Sequence, residues 1–113
     1  HAMKVMRKDA IIAKNQVAHT NDEKHVLTKI QHPFIVRLNY AFQTHDKLYM
    51  IMDYVNGGEL FFHLKNEIRF PEKRVRFYVA EIALALMHLH DHGIIYRDLK
   101  PENILLVGSS HLF

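Results

Sequence analysis

Ile95-Tyr96-Arg97-Asp98-Leu99-Lys100-Pro101-Glu102-Asn103-Ile104-Leu105-Leu106 sets six polar or charged side chains between two apolar flanks. The flanks can be buried, but Arg97, Asp98, Lys100, Glu102 and Asn103 cannot all follow them, so the stretch reads as a polar loop held on a rigid base. Asp98 and Asn103 offer a carboxylate and an amide oxygen, a pair suited to taking a proton from a hydroxyl and to ligating a hard cation such as Mg2+. Lys100 can neutralise an anionic group between them. Any two of these residues alone would read as a charged surface turn; all of them in this order do not.

In this order they resemble the catalytic loop of eukaryotic protein kinases, His-Arg-Asp-Leu, three residues, then Asn. Tyr96 stands in the histidine's place, as is usual in the AGC group, and Lys100 is what serine/threonine kinases carry two residues after the Asp. The resemblance implies that Asp98 orients and deprotonates the substrate hydroxyl, Lys100 steadies the γ-phosphate of ATP, and Asn103 holds a Mg2+. It also implies that Arg97 pairs with a phosphorylated activation loop.

Composition bounds the rest. The 113 residues make one small domain at most, and a whole protein kinase domain is more than twice as long. A hydrophobic fraction of 49% and a charged fraction of 24% are those of an ordinary soluble globular protein. No run approaches membrane-spanning length, and His1-Ala2-Met3-Lys4 begins no signal peptide. With no cysteine there is no disulfide and no thiolate metal site, which fits a reducing compartment and the cytoplasm, with the nucleus also open to the protein. A net charge of +3 from scattered basic residues is too mild for a nucleic-acid binder.

Upstream, Ala2-Met3-Lys4-Val5-Met6 is a short strand-like run interrupted by one lysine. Alone, Lys4 would be an edge-strand lysine pointing to water. From Val17 to Ile30 the pattern turns helical, with Glu23, Leu27 and Ile30 on one face, and a carboxylate there wants a cation. Lys4 and Glu23 match the lysine of the kinase third strand and the glutamate of helix αC, whose ion pair fixes the lysine against the α- and β-phosphates of ATP. Pro33 ends the helix. Residues 35–42 and 47–55 then read as a hairpin around Thr44-His45-Asp46, resembling the fourth and fifth kinase strands. By that resemblance Met52 is the gatekeeper beside the adenine, and Asp53 and Val55 lie in the hinge, whose backbone bonds the purine. Met50 reads as core.

Asn56-Gly57-Gly58 breaks the strand and resembles the linker between kinase lobes; the glycines lack a nucleotide-loop pattern. A helix like αD starts at Glu59. In AGC kinases a glutamate here reaches the ATP ribose and an arginine upstream of the acceptor, and Glu102 similarly contacts a basic residue, so basic protein substrates are expected. The longest helix, residues 72–92, resembles αE, with Val75, Tyr78, Val79, Ile82, Leu86 and Leu89 as its buried stripe and Gly93 as its cap. His88, His90 and His92 alternate along it and cannot converge on one ion. Ile104 to Val107 fits a short strand, with Leu105 below the adenine and Ala2 above.

The resemblance therefore implies an α+β fold, a partial protein-kinase-like fold. Residues 1–55 form part of the small lobe, with its antiparallel sheet and helix αC, and end in the hinge. Residues 56–113 form part of the large lobe, with helices αD and αE and the catalytic loop. Within the AGC group the closest likeness is to ribosomal protein S6 kinases. Lys8, Ile11, Ile12, Val17, Gln43 and Leu48 match the small-lobe groove that receives a C-terminal hydrophobic-motif tail. The glycine-rich loop and Asp-Phe-Gly are absent, His1 replaces an aromatic residue, and Val107 to His111 departs from the usual acidic-turn-glycine sequence. These edges read as a fragment of a serine/threonine kinase, inactive alone and with apolar faces open. The alternative is a non-catalytic binding or decoy fragment that uses the groove. Intact Lys4, Glu23, Asp98 and Asn103 weigh against a pseudokinase.

Overall fold

The computed structural model describes residues 1–108 and the backbone of His111 and Leu112. Two compact units form, one of His1–Gln31 and Val36–Tyr54, the other of His32–Ile35 and the chain from Val55 onward.

The first unit is a three-stranded antiparallel sheet with two helices. Strand β1 (Ala2–Arg7) leads into helix α1 (Lys8–Ala13) and helix α2 (Val17–Lys29), followed by β2 (Leu38–Gln43) and β3 (Lys47–Met52). The order is β1-β3-β2, so the most apolar strand, β3, takes the centre and its Met50 is 2% exposed. Register runs from Ala2 opposite Met52 to Arg7 opposite Lys47, and Phe42 stacks on its cross-strand partner Tyr49 at 4.7 Å. Helix α2 half-buries Glu23, Val26 and Leu27 and ends at buried Ile30. Met3, Val5, Tyr40 and Phe42 are exposed, apolar surface of the kind expected of a partial sheet.

Two strand bounds are corrected here, and one helix is new. Helix α1 was not anticipated: at six residues it is too short to show a helical period, and in its first turn the Asp9 carboxylate accepts the Ala10 N–H. Strand β2 begins at Leu38 rather than Ile35. His32 Nδ1 accepts the Phe34 N–H and the His32 carbonyl accepts the Ile35 N–H, which folds Pro33–Ile35 into a turn. Strand β3 stops at Met52, where the Asp53 N–H turns to the Arg37 carbonyl.

In the second unit, helix α3 (Leu60–Glu67) and helix α4 (Glu72–Asp91) precede a single 3-10 turn at Pro101–Asn103, then β4 (Leu106–Val107) pairs with β5 (His111–Leu112). Leu60, Tyr78, Ile104 and Leu106 make its core, with Phe70 and Ile82 against them. Arg74 ties the edge of that core: it bonds both carboxylate oxygens of Glu67, donates to the Tyr78 hydroxyl at 2.8 Å, and lies 4.3 Å over the Phe70 ring. Gly93, at φ +72, closes α4 as expected. Val75 and Val79, expected in the buried stripe, are exposed. At roughly 100° per residue the arc through Tyr78, Ile82 and Leu89 leaves Val79 a quarter-turn away, and Glu81 is buried on the other side.

Candidate active site

The polar loop is seated asymmetrically. Its downstream flank is anchored, because Ile104 and Leu106 are core residues, 8% and 0% exposed. Its upstream flank is not: Ile94 is half-buried with its N–H on the Leu89 carbonyl, while Ile95, Tyr96 and Leu99 are exposed. Expecting two buried flanks was thus half right, since no strand forms between α4 and the loop to bury Ile95.

Within the loop the 3-10 turn does the placing. The Asn103 N–H bonds the Lys100 carbonyl at 2.9 Å, which folds the chain back so that Asn103 faces Asp98. Asn103 Nδ2 donates to Asp98 Oδ2 at 2.8 Å and to the Asp98 carbonyl at 2.9 Å. Lys100 Nζ sits 3.0 Å from Asp98 Oδ1. One carboxylate thus receives a cation on one oxygen and an amide on the other. The Lys100 hydrogen bond first and the Asn103 amide second hold the Asp98 carboxyl below the usual carboxylate range, and Asp98 in turn raises Lys100. Asp98 is ionised at neutral pH, with lone pairs left to accept a hydroxyl proton. Because Nδ2 is committed to donating, Oδ1 is the atom of Asn103 left to act as a hard oxygen ligand, and that chemistry fits Mg2+. Among the described residues no group of three or more His, Cys, Asp or Glu could hold a metal. His88 and His92, one turn apart, bring their rings to 4.5 Å, and His32 lies 4.8 Å from His88; His90 is exposed.

Glu59 is the N-cap of α3 and forms an isolated bridge with Leu105, so two residues assigned to the nucleotide meet in this unit. Glu59 and Glu102 are both exposed.

The first unit carries the other constellation. Lys4 Nζ donates to Glu23 Oε1 at 2.7 Å, from the edge strand to helix α2. Both side chains are 41% exposed, so the pair adds at most about 1 kcal/mol to stability, and the Lys4 ammonium keeps two further N–H donors. Ala2 and Met52 are cross-strand partners, both half-buried. Asp53 spends its N–H on Arg37 and its Oδ1 accepts from Asn39 Nδ2 at 2.8 Å, so what it can offer a purine is its carbonyl. Val55 is half-buried. Of the groove residues, Gln43 faces Leu48 across the hairpin and Lys8 donates to the Thr44 carbonyl; Ile12 and Val17 are exposed and Ile11 is buried. Asn39, Asn56 and His63, which hold the linker and its neighbours, escaped the sequence reading, because their partners are set only by the fold. In the departing Val107–His111 segment, Ser109 and Ser110 lie outside the described residues.

The model of the protein kinase domain matches residues 1–112. The chain belongs to the protein kinase domain family. It is 68% identical over 111 residues to Protein kinase 2 of Dictyostelium discoideum, a match that covers 98% of this chain and 23% of that protein. It is 54% identical to the human RAC-beta serine/threonine-protein kinase (99% of this chain, 23% of that one) and 56% to the human serine/threonine-protein kinase Sgk2 (99% and 31%). This kinase-domain chain thus spans about a quarter of the length of the curated relatives it matches, and those relatives are AGC-type kinases. Several of them are named RAC or Sgk kinases, and the narrower likeness to ribosomal protein S6 kinases stays an expectation. Protein kinases generally use ATP with Mg2+ and act on proteins. No helix among the described residues is long and apolar enough to cross a membrane.

Proposed function

We propose that this chain is the central section of an AGC-type serine/threonine protein kinase that transfers the ATP γ-phosphate to Ser or Thr hydroxyls of basic proteins, in the cytoplasm. The observation that carries the reading is the Asp98 carboxylate held between Lys100 and Asn103. Asp98 accepts a hydrogen bond from the acceptor hydroxyl and so aims its oxygen at the γ-phosphorus. As that oxygen bonds phosphorus and the bond to the β–γ bridging oxygen breaks, the hydroxyl proton passes to Asp98 and ADP leaves. Because its pKa is lowered, Asp98 is a weak base that takes the proton late, and it contributes chiefly by orientation. Lys100 offsets charge on the transferring group, and Lys4, aimed by Glu23, offsets it on the α- and β-phosphates. When bound at Asn103 Oδ1, Mg2+ neutralises charge on the phosphate oxygens. Ala2, Met52, Asp53, Val55 and Leu105 serve the adenine, Glu59 the ribose, and Glu59 with Glu102 the basic side chains of the substrate.

Asn103 supplies one ligand where a hard cation takes about six, so residues 1–113 alone are expected to be inactive. The test is made on the full-length protein with ATP, Mg2+ and a peptide that has arginine upstream of one serine. Phosphoserine should form, and Asp98→Asn should slow its formation about a thousandfold. A folded protein that binds ATP yet modifies no such peptide would sink the reading.

A further inference from the structure

The segment from Asn56 to Leu60 is laced to the strand that follows the catalytic loop. The Gly57 N–H bonds the Leu106 carbonyl at 2.7 Å, the Leu106 N–H bonds the Gly58 carbonyl at 2.9 Å, and the Leu60 N–H bonds the Ile104 carbonyl at 2.8 Å. Asn56 Oδ1 accepts the Gly108 N–H at 3.0 Å. The turn needs its glycines: a Cβ on Gly57 would lie 2.1 Å from the Leu106 oxygen, and Gly58 sits at φ +76. Two adjacent glycines also leave the turn soft unless something outside the ladder holds it.

That tether is His63. From the first turn of α3, half-buried, its Nε2 lies 2.6 Å from the Gly57 carbonyl. A carbonyl only accepts, so the ring must donate, as both the neutral Nε2–H tautomer and the imidazolium can. We propose that His63 is a positioning residue: by holding Gly57 it fixes the turn from which Glu59 leaves, in register with Leu105, and so sets affinity for the nucleotide and for a basic peptide. This rests on the kinase reading above, and the chemistry of the step is untouched by it.

The experiment compares His63→Leu, which has no donor, with His63→Gln, whose amide can donate from nearly the same point, in the full-length protein. Loss of one such hydrogen bond should raise KM for ATP and peptide about threefold to tenfold in His63→Leu, with kcat within about twofold, and His63→Gln should restore KM. Unchanged KM in His63→Leu overturns the proposal. So does an equal loss in both variants accompanied by a falling melting temperature, which would make His63 merely structural. If the unsubstituted protein transfers no phosphate, the kinase reading fails separately, and amide exchange at Gly57 and Leu106 decides the tether: faster in His63→Leu than in His63→Gln supports it, equal rates overturn it.

Discussion

Lys4 and Glu23 stand 19 residues apart and meet across a strand and a helix, whereas Asp98, Lys100 and Asn103 fall within six residues and meet through one 3-10 turn. Both constellations are solvent-exposed, and neither holds the fold together. The difference is in what each depends on. The long-range pair exists only while β1 and α2 keep their places, and the local trio needs only that Ile104 and Leu106 stay buried beneath it. In the proposed function the first aims a cation at the nucleotide, and the second supplies a weak base with an oxygen ligand beside it.

Breaking the trio should cost most. Asp98→Asn removes the proton acceptor and should lower kcat about a thousandfold with no change in melting temperature, since Asp98 is exposed and its bonds are local. Removing the long-range cation should cost less. Lys4→Met should lower kcat/KM about a hundredfold, while chemical denaturation shows a stability loss of at most about 1 kcal/mol. A large stability loss would mean that the pair supports the sheet instead of aiming the ammonium.

The two regions also differed in how far the sequence disclosed them. The trio was readable because its spacing is its geometry: Asp98, Lys100 and Asn103 are one turn of chain. Lys4 and Glu23 could be matched only through family spacing, since a lone strand lysine and a lone helix glutamate each have an ordinary explanation. The hairpin, α3 and α4 followed from period and punctuation. Helix α1 did not, being shorter than two turns, and the late start of β2 depended on the His32 side chain capturing the Phe34 N–H. Val79 was misplaced because a stripe drawn from apolar residues alone ignores buried Glu81, which shifts the inward arc. Asn39 and His63 were invisible, because Asn39 donates to a carboxylate far away in sequence and His63 holds a backbone carbonyl across a glycine turn.

Smaller effects sharpen the contrast. Gly57→Ala places a methyl against the Leu106 carbonyl and should destabilise the second unit by about 1–3 kcal/mol in urea titration; full tolerance would mean that the linker is not seated on Leu106. The smallest effect concerns pH. Burial, then the neighbouring charge of His88, lowers the His32 pKa, so the fold favours its neutral form. That contribution is present above the unfolded value near 6.5 and is lost as pH falls through the lower folded value. Stability should drop more between about pH 7.5 and 5.5 in the unsubstituted protein than in His32→Asn, which keeps an acceptor for Phe34. Equal slopes would remove His32 from the account.

Phosphoryl transfer with ATP varied, run side by side on Asp98→Asn and Glu23→Gln forms of the full-length protein, tests the division of labour most directly. The expected result is loss of kcat with ATP KM kept within about twofold for Asp98→Asn, and a raised ATP KM for Glu23→Gln. An Asp98→Asn protein that turns over at the unsubstituted rate would contradict the assignment of this loop.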